Sequence, residues 1–295
     1  MLLGLLPLVG YAPAPLLEDR AIRAIVGEPA RMPSLQSGAG GPLTVVSWNI
    51  EQGKRYEQIR DTLAELHADI YLLQEVDMGV RRSDYREVAR DLANDLGGLN
   101  WVFAGEFQEI GQSRRDTPAL TGQAVLSRYP IRNAFALGFE NQARLRWRLD
   151  PFQPRRGGRM ALRVESGGIL VYDAHLESAK DDQFRRKQVD EMLSDYLTLG
   201  LADQPVVLAG DFNTEKAPAD SMVVGRLVDH GFLDALGTLA PRRTSIAHAD
   251  PLDWIFVRNM APSRGRVVAV RNKPSDHFPL EAAVSPAPST YRATR

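Results

Sequence analysis

Short apolar runs of strand length recur along this chain, and one after another they halt on a carboxylate, a carboxamide or an imidazole. Asn49 stands at the end of "LTVVSWNI" and Glu75 at the end of "DIYLLQEV", His175 sits late in "ILVYDAHLE", and Asp211 and Asn213 follow "VVLAG". Asp253 opens "DWIFV", and Asp276 and His277 stand just before "PLEAAV". Strands packed in a sandwich bring their ends to a rim, where polar groups from distant positions meet. A buried carboxylate without a partner is expensive, so this many acids at strand ends imply a cation or hydrogen-bond donors beside them.

Helical spacing separates some of the runs. Tyr56, Ile59, Leu63 and Leu66 share one helical face, as do Tyr85, Val88, Leu92 and Leu96; further helices are predicted around 184–199 and 221–229. "WVFAGEF", "AVLSRYPI", "RMALRVES", "RVVAV" and "PLEAAV" add to the strands. Most of these should pair antiparallel, because convincing helices between them are few. The pattern predicts an α/β fold with two mostly antiparallel β-sheets packed face to face and helices outside.

The 295 residues carry 36 basic and 37 acidic side chains, a formal charge of -1, so no global field draws the protein onto nucleic acid or anionic membrane. Any basic surface is local. With no cysteine, disulfides, thiolate metal sites and cysteine nucleophiles are excluded.

Residues 1–42 read as an apolar segment, "MLLGLLPLVGYAPAPLL", followed by the Gly/Pro/Ser-rich linker "RMPSLQSGAGGP"; the folded domain is expected over 43–284 and a loose tail over 285–295. The apolar stretch is too short and too proline-rich for a transmembrane helix. Ala12-Pro13-Ala14 resembles a signal-peptidase site, but no basic residue precedes the apolar run. A cytoplasmic location is slightly favoured over export or peripheral membrane contact through this segment. No obligate protein partner is evident.

"SWNIEQG", "LLQEVD", "GQAVLSRYPI", "YDAHLES", "GDFNTE", "LDWIFV" and "SDHFPL" occur in this order over roughly 43–284. Together they closely resemble the endonuclease/exonuclease/phosphatase superfamily. The resemblance implies a four-layer α/β sandwich and hydrolysis of a phosphate ester dependent on a divalent cation, Mg²⁺ or Mn²⁺. Glu75, which alone would read as a solvated strand-end acid, becomes by this resemblance the primary metal ligand, since hard cations prefer carboxylate oxygen. Asn49 matches a position that helps hold the metal or a phosphate oxygen, and Asp276 one that lies close to the metal.

His277 resembles the histidine of the "SDH" motif, with Asp253 as its carboxylate partner. Such a partner fixes the tautomer and leaves the other ring nitrogen to take a proton from water. Asp211 orients that water or protonates the leaving oxygen, and Asn213 donates to a nonbridging oxygen; two positions apart, they address one phosphorus centre. His175 points to the two-histidine branch of deoxyribonuclease, sphingomyelinase and inositol-phosphatase types. Its orienting carboxylate is Glu106 or Glu109, with Glu109 preferred. Gln123 departs from the commoner asparagine of this pattern, which puts in doubt a phosphate-binding role for that side chain.

Between Asn141 and Arg163 the chain carries seven arginines against the single acid Asp150, with Trp147 and Phe152 interleaved. Guanidinium forks grip phosphate, so Arg155, Arg156 and Arg159 are candidate substrate-binding residues; the alternative is a solvated crossover between sheets. If this segment closes a pocket, the substrate is a small, lipid-linked or sugar-linked phosphate, the favoured reading. An open groove would suit a nuclease acting on DNA or RNA. A noncatalytic module of the same fold would typically lack the counterparts of Glu75 or His277, and both are present.

Overall fold

A computed structural model of the chain describes residues 16–27, 41–114, 117–143, 155–178, 182–214, 218–237 and 242–287. The runs that end on polar residues are the central strands β1 (Leu43–Asn49), β2 (Ile70–Met78), β8 (Ile169–His175) and β9 (Val206–Asp211). Around β1 and β2 lie β3 (Asn100–Glu109), β4 (Leu120–Ser127), β6 (Arg155–Gly157), β12 (Met260–Val267) and β13 (Leu280–Pro286), in the order β12-β13-β1-β2-β4-β3-β6. The second sheet adds β5 (Arg132–Gly138), β7 (Met160–Ser166), β10 (Leu233–Asp234) and β11 (Asp253–Arg258), in the order β10-β11-β9-β8-β7-β5.

Leu72, Val125, Leu162, Val171, Ile255 and Leu280 are among the buried residues filling the space between the sheets. The outer face of the first sheet buries Trp48, Tyr71 and Phe103 against Ile59 and Leu63 of α2 (Tyr56–Leu66) and Val88 and Leu92 of α3 (Val88–Asp95). Tyr172, Leu208 and Phe256 of the second sheet pack in the same way on α4 (Asp182–Thr198) and α5 (Met222–Asp229). Four layers result, as expected.

The sheets are mixed. β1 pairs parallel with β2 and β8 parallel with β9, while the other neighbours run antiparallel. Each parallel pair is joined by a helix, α2 or α4, because a parallel return needs a long crossover. This puts the C-terminal ends of β1, β2, β8 and β9 on one rim, where open α/β sheets hold ligands. Gly210 makes the β8–β9 approach fit: its φ is +142°, and a Cβ there would lie 1.9 Å from the Ala174 carbonyl oxygen.

Two expectations need correction. The strand read at "RVVAV" lies upstream as β12, a polar edge strand whose Arg264 and Arg266 each reach Glu281 of β13 at 2.6 Å, so hydrophobic periodicity does not reveal it. The domain also begins before residue 43. α1 (Asp19–Ile22) buries Ile22 completely, Val26 bridges to Phe103, and the Leu17 amide donates to Gln108 Oε1 at 2.9 Å. At the other end β13 extends to Pro286, paired with Met260. Residues 1–15 and 288–295, with the N-terminal site of expected membrane contact and most of the tail, lie outside the described residues. No described helix is long and apolar enough to cross a membrane.

Candidate active site

His277 sits on the turn before β13 and is buried. Three bonds hold that turn on the end of β1: Trp48 Nε1 donates to the His277 carbonyl at 2.9 Å, Ser275 Oγ to the Asn49 carbonyl at 2.7 Å, and the His277 amide to Ser275 Oγ at 3.1 Å. His277 Nδ1 is 2.8 Å from Asp253 Oδ2, and Asp253 is itself fixed by its amide, which donates to Thr244 Oγ1 at 3.1 Å. On the far side of the ring, Nε2 lies 3.8 Å from Asp211 Oδ2. Burial disfavours the imidazolium, but Asp253 and Asp211 outweigh it and hold His277 well above the ordinary histidine range. The same burial raises Asp253, with Asp211 adding to it and His277 opposing.

Asp211 lies between two imidazoles, its Oδ2 3.6 Å from His175 Nε2. Burial would raise this carboxyl, yet His277, His175 and hydrogen bonds from Asn49 and Asn213 lower it. Asn49 Nδ2 donates to Asp211 Oδ2 at 3.1 Å, and the Asn213 amide to Oδ1 at 2.9 Å. Asn213, with φ at 50°, turns back on Asp211 through this bond and donates Nδ2 to the Leu176 carbonyl at 3.1 Å. A left-handed turn, rather than strand alternation, therefore keeps the two side by side.

The carboxylate behind His175 is Glu106, with Oε2 3.2 Å from Nδ1. The preference for Glu109 fails because β3 aims that side chain elsewhere: Arg82 and Arg155 hold it at 3.0 and 3.3 Å. Arg159, almost fully buried, donates to Glu106 Oε1 at 2.8 Å, and its guanidinium lies against the His175 ring, 2.9 and 2.8 Å from the two nitrogens. Burial pushes the Glu106 carboxyl up, but Arg159 and His175 overcome this and hold it at about 2.

That ion pair sets an acid limb of stability. Glu106 ionises in the fold far below its ordinary 4.5, so its contribution is complete above about pH 5 and disappears as pH falls toward 2. The loss is on the order of 3 kcal/mol, from about 1.4 kcal/mol for each tenfold change in the ionisation equilibrium. Urea unfolding of Glu106→Gln should show lower stability at pH 7 and lack this part of the acid dependence; an unaltered acid limb would refute the pairing.

Glu75 occupies a β-bulge, where the β2–β4 register shifts between Leu73 and Val76, and its φ of 52° turns the side chain out of the strand's alternation. Gln52 Nε2 donates to Glu75 Oε2. Asp276 and Glu51 stand nearby: partial desolvation raises the Asp276 carboxyl, and Glu75 and Glu51 raise it further against the pull of His277. Since Asp276 keeps access to solvent at the rim, the facing carboxylates are the part of this shift that a cation would reverse. Glu75 and Glu51 act on Asp276 electrostatically, and carboxylate oxygen suits a hard divalent cation, although Lys54 and Arg55 already stand 3.2 and 3.8 Å from the Glu51 oxygens. Asn49 is next to them in sequence but spends its amide on Asp211 and its Oδ1 on the Glu51 amide, at 3.1 Å each.

Asp211, Asp253 and His277 also bring ligand atoms within 4.8 Å of one another. A cation there would compete with the 2.8 Å bond between His277 and Asp253.

Of the predicted arginines, Arg159 reaches His175, whereas Arg155 pairs with Glu109 at 3.3 Å one step away. Arg156 alternates to the other face of β6, against Gln108 in register, and does not line the cavity beside Arg159. Gln123 bridges the sheets by donating to the Met160 carbonyl at 3.2 Å and binds nothing at the rim. Residues 144–154, with Trp147, Asp150 and Phe152, lie outside the described residues. Glu51, Gln52, Thr244, Ser275 and Trp48 were not singled out by sequence; Glu51 and Gln52 stand inside the quoted "SWNIEQG", which was the available signal.

A four-layer sandwich whose rim sets two buried imidazoles, each backed by a carboxylate, on either side of Asp211 defines a class of phosphate-ester hydrolases. A model of the Endonuclease/Exonuclease/phosphatase family matches residues 46–277, and the chain belongs to that family. No curated protein matches the sequence. Among solved structures, the chain is similar to the human Nocturnin catalytic domain with bound sulfate, at 20% identity and TM-score 0.62 over 90% of this chain and 97% of that one. It is similar to a mannosyl-6-phosphatase of Bacteroides thetaiotaomicron, at 18% identity and TM-score 0.58 over 82% and 99% of the two chains. A Neisseria 3′ phosphatase bound to a product DNA hairpin matches at 20% identity and TM-score 0.58 over 81% and 98%. At these identities the likeness shows the fold.

Proposed function

We propose that the chain hydrolyses small phosphate esters, as a phosphatase or phosphodiesterase, by in-line attack of water on phosphorus with the help of a divalent cation. The observation that carries this reading is the convergence of His277 and His175 on Asp211, with Asp253 and Glu106 behind them. Mg²⁺ or Mn²⁺ held by Glu75 and Asp276, with Glu51 and Asn49 beside them, would neutralise charge on the phosphate and oppose the carboxylates that favour the imidazolium of His277. Once that proton has left, Nε2 is the nitrogen that takes a proton from water, because Nδ1 stays bonded to Asp253. The water oxygen bonds to phosphorus as the bond to the leaving oxygen breaks. Asp211, whose carboxyl is held on the ionised side, accepts a hydrogen bond from the water and orients it. His175, steadied by Glu106 and Arg159, and Asn213 donate to phosphate oxygens as negative charge builds.

The preference for a small substrate over a nucleic acid rests on shape. A cavity of about 660 Å³ opens beside Arg159 and Glu177, lined by Phe107, Phe139, Arg155 and Gly158. That volume is of the size that encloses a small organic ligand. The check is release of inorganic phosphate from sugar phosphates, and of p-nitrophenol from bis-p-nitrophenyl phosphate, with Mg²⁺, with Mn²⁺ and with chelator. Metal-dependent release is expected. Cleavage of plasmid or single-stranded DNA or of RNA, with no release from the small esters, would overturn the reading in favour of a nuclease.

A further inference from the structure

The same cavity holds a cation that the chemistry above leaves unused. Arg23 stands one residue beyond α1, on the segment docked to β3 through Ile22 and Val26, upstream of the stretch that the family model matches. Its guanidinium reaches across to the other sheet and lies on Gly138 at the end of β5. A Cβ on Gly138 would come within 2.4 Å of Arg23 Cζ and 2.6 Å of Nε and Nη1, so the approach depends on a residue without a side chain. Both residues line the 660 Å³ cavity, along with Arg155 and Arg159.

The three arginines differ in what neutralises them. Glu106 pairs with Arg159 at 2.8 Å and Glu109 with Arg155 at 3.3 Å. Arg23 makes no ion pair with a described residue, and its buried Nε has no hydrogen-bond partner. Asp19, Glu140 and Glu177 also line the cavity, but Arg23 forms an ion pair with none of them; a guanidinium held there, partly removed from water and without a paired anion, is set up for a charge-assisted fork to one.

We propose that Arg23 binds a second anionic group, a phosphate or a carboxylate, on the substrate whose reacting phosphate lies at His277 and His175. The inference rests on the phosphate-ester reading above. It makes the preferred substrate an organic phosphate with at least two anionic groups, and it makes the N-terminal segment part of substrate selection.

The test compares fructose 1,6-bisphosphate with fructose 6-phosphate, in turnover with Mg²⁺ and in calorimetric binding with chelator present. Wild-type protein should prefer the bisphosphate in both assays. Arg23→Ala should reduce that preference about 10- to 100-fold, the weight of one charge-assisted interaction. Gly138→Ala, which keeps the charge but pushes the guanidinium off its seat, should reduce it in the same direction, and Arg23→Lys should retain part of it. No bisphosphate preference in the wild type, or an equal preference in Arg23→Ala, overturns the proposal. If both compounds bind with the expected Arg23-dependent preference but neither is hydrolysed, the anion site stands and the phosphate-ester reading fails.

Discussion

Replacing His277 with alanine should slow turnover by about 10²- to 10⁴-fold, the usual contribution of a positioned general acid or base. The ring is buried, 2.8 Å from Asp253 on one side and 3.8 Å from Asp211 on the other, and its loss would remove the imidazole proposed to take a proton from water. Asp253→Asn should cost heavily too. It keeps the shape but removes the charge that orients Nδ1 and stabilises the imidazolium, and Thr244 would still hold the residue's backbone. Because the two side chains act as one unit, the double variant should be scarcely slower than His277→Ala alone. Steady-state kinetics of the four proteins decide it: losses that multiply independently would mean that the pair is not a unit and that another group receives the proton.

Glu75→Gln should weaken divalent-cation binding and lower turnover by more than about 100-fold, beyond the 10- to 100-fold typical of losing a mere outer-shell partner. A neutral amide supplies one weak oxygen donor where an anionic oxygen stood among Glu51 and Asp276, and Mg²⁺ favours the anion. Stability should change little, since glutamine keeps the size of the side chain on the bulge; it would also relieve part of the repulsion that raises Asp276. Titration calorimetry with Mg²⁺ and Mn²⁺ gives the affinity without turnover. Full activity in chelator, or unaltered cation affinity in Glu75→Gln, would remove Glu75 from the proposed ligand set.

Much of the rim is readable residue by residue. Asp211 and Asn213 are local in cause: a strand stops, a glycine permits close strand approach, and an asparagine in a left-handed turn folds back to donate to the aspartate. The His277–Asp253 pair is likewise the one that the motifs "SDHFPL" and "LDWIFV" imply. The partner of His175 is a different matter. Glu106 and Glu109 are three residues apart on β3, and a strand places such residues on opposite faces, so choosing between them requires knowing which face of β3 meets β7 and β8. The N-terminal boundary fails for a similar reason. A Gly/Pro/Ser-rich stretch marks a break in regular structure, but it carries no sign of whether the segment before it returns to cover β3.

The elements and their chemistry follow from local sequence: apolar runs of strand length, helices at 3.6-residue spacing, and polar stops whose residue types suit cation binding and proton transfer. These are near-neighbour properties, set by period and by the identity of a few adjacent side chains. Which stops meet is a matter of long-range packing. Trp48 reaches the His277 carbonyl across 229 residues and Asn49 reaches Asp211 across 162. Such contacts depend on strand register, since a slip of one residue would turn each side chain to the opposite face. The same holds for Arg23, whose place on Gly138 follows from how the N-terminal segment packs on β3.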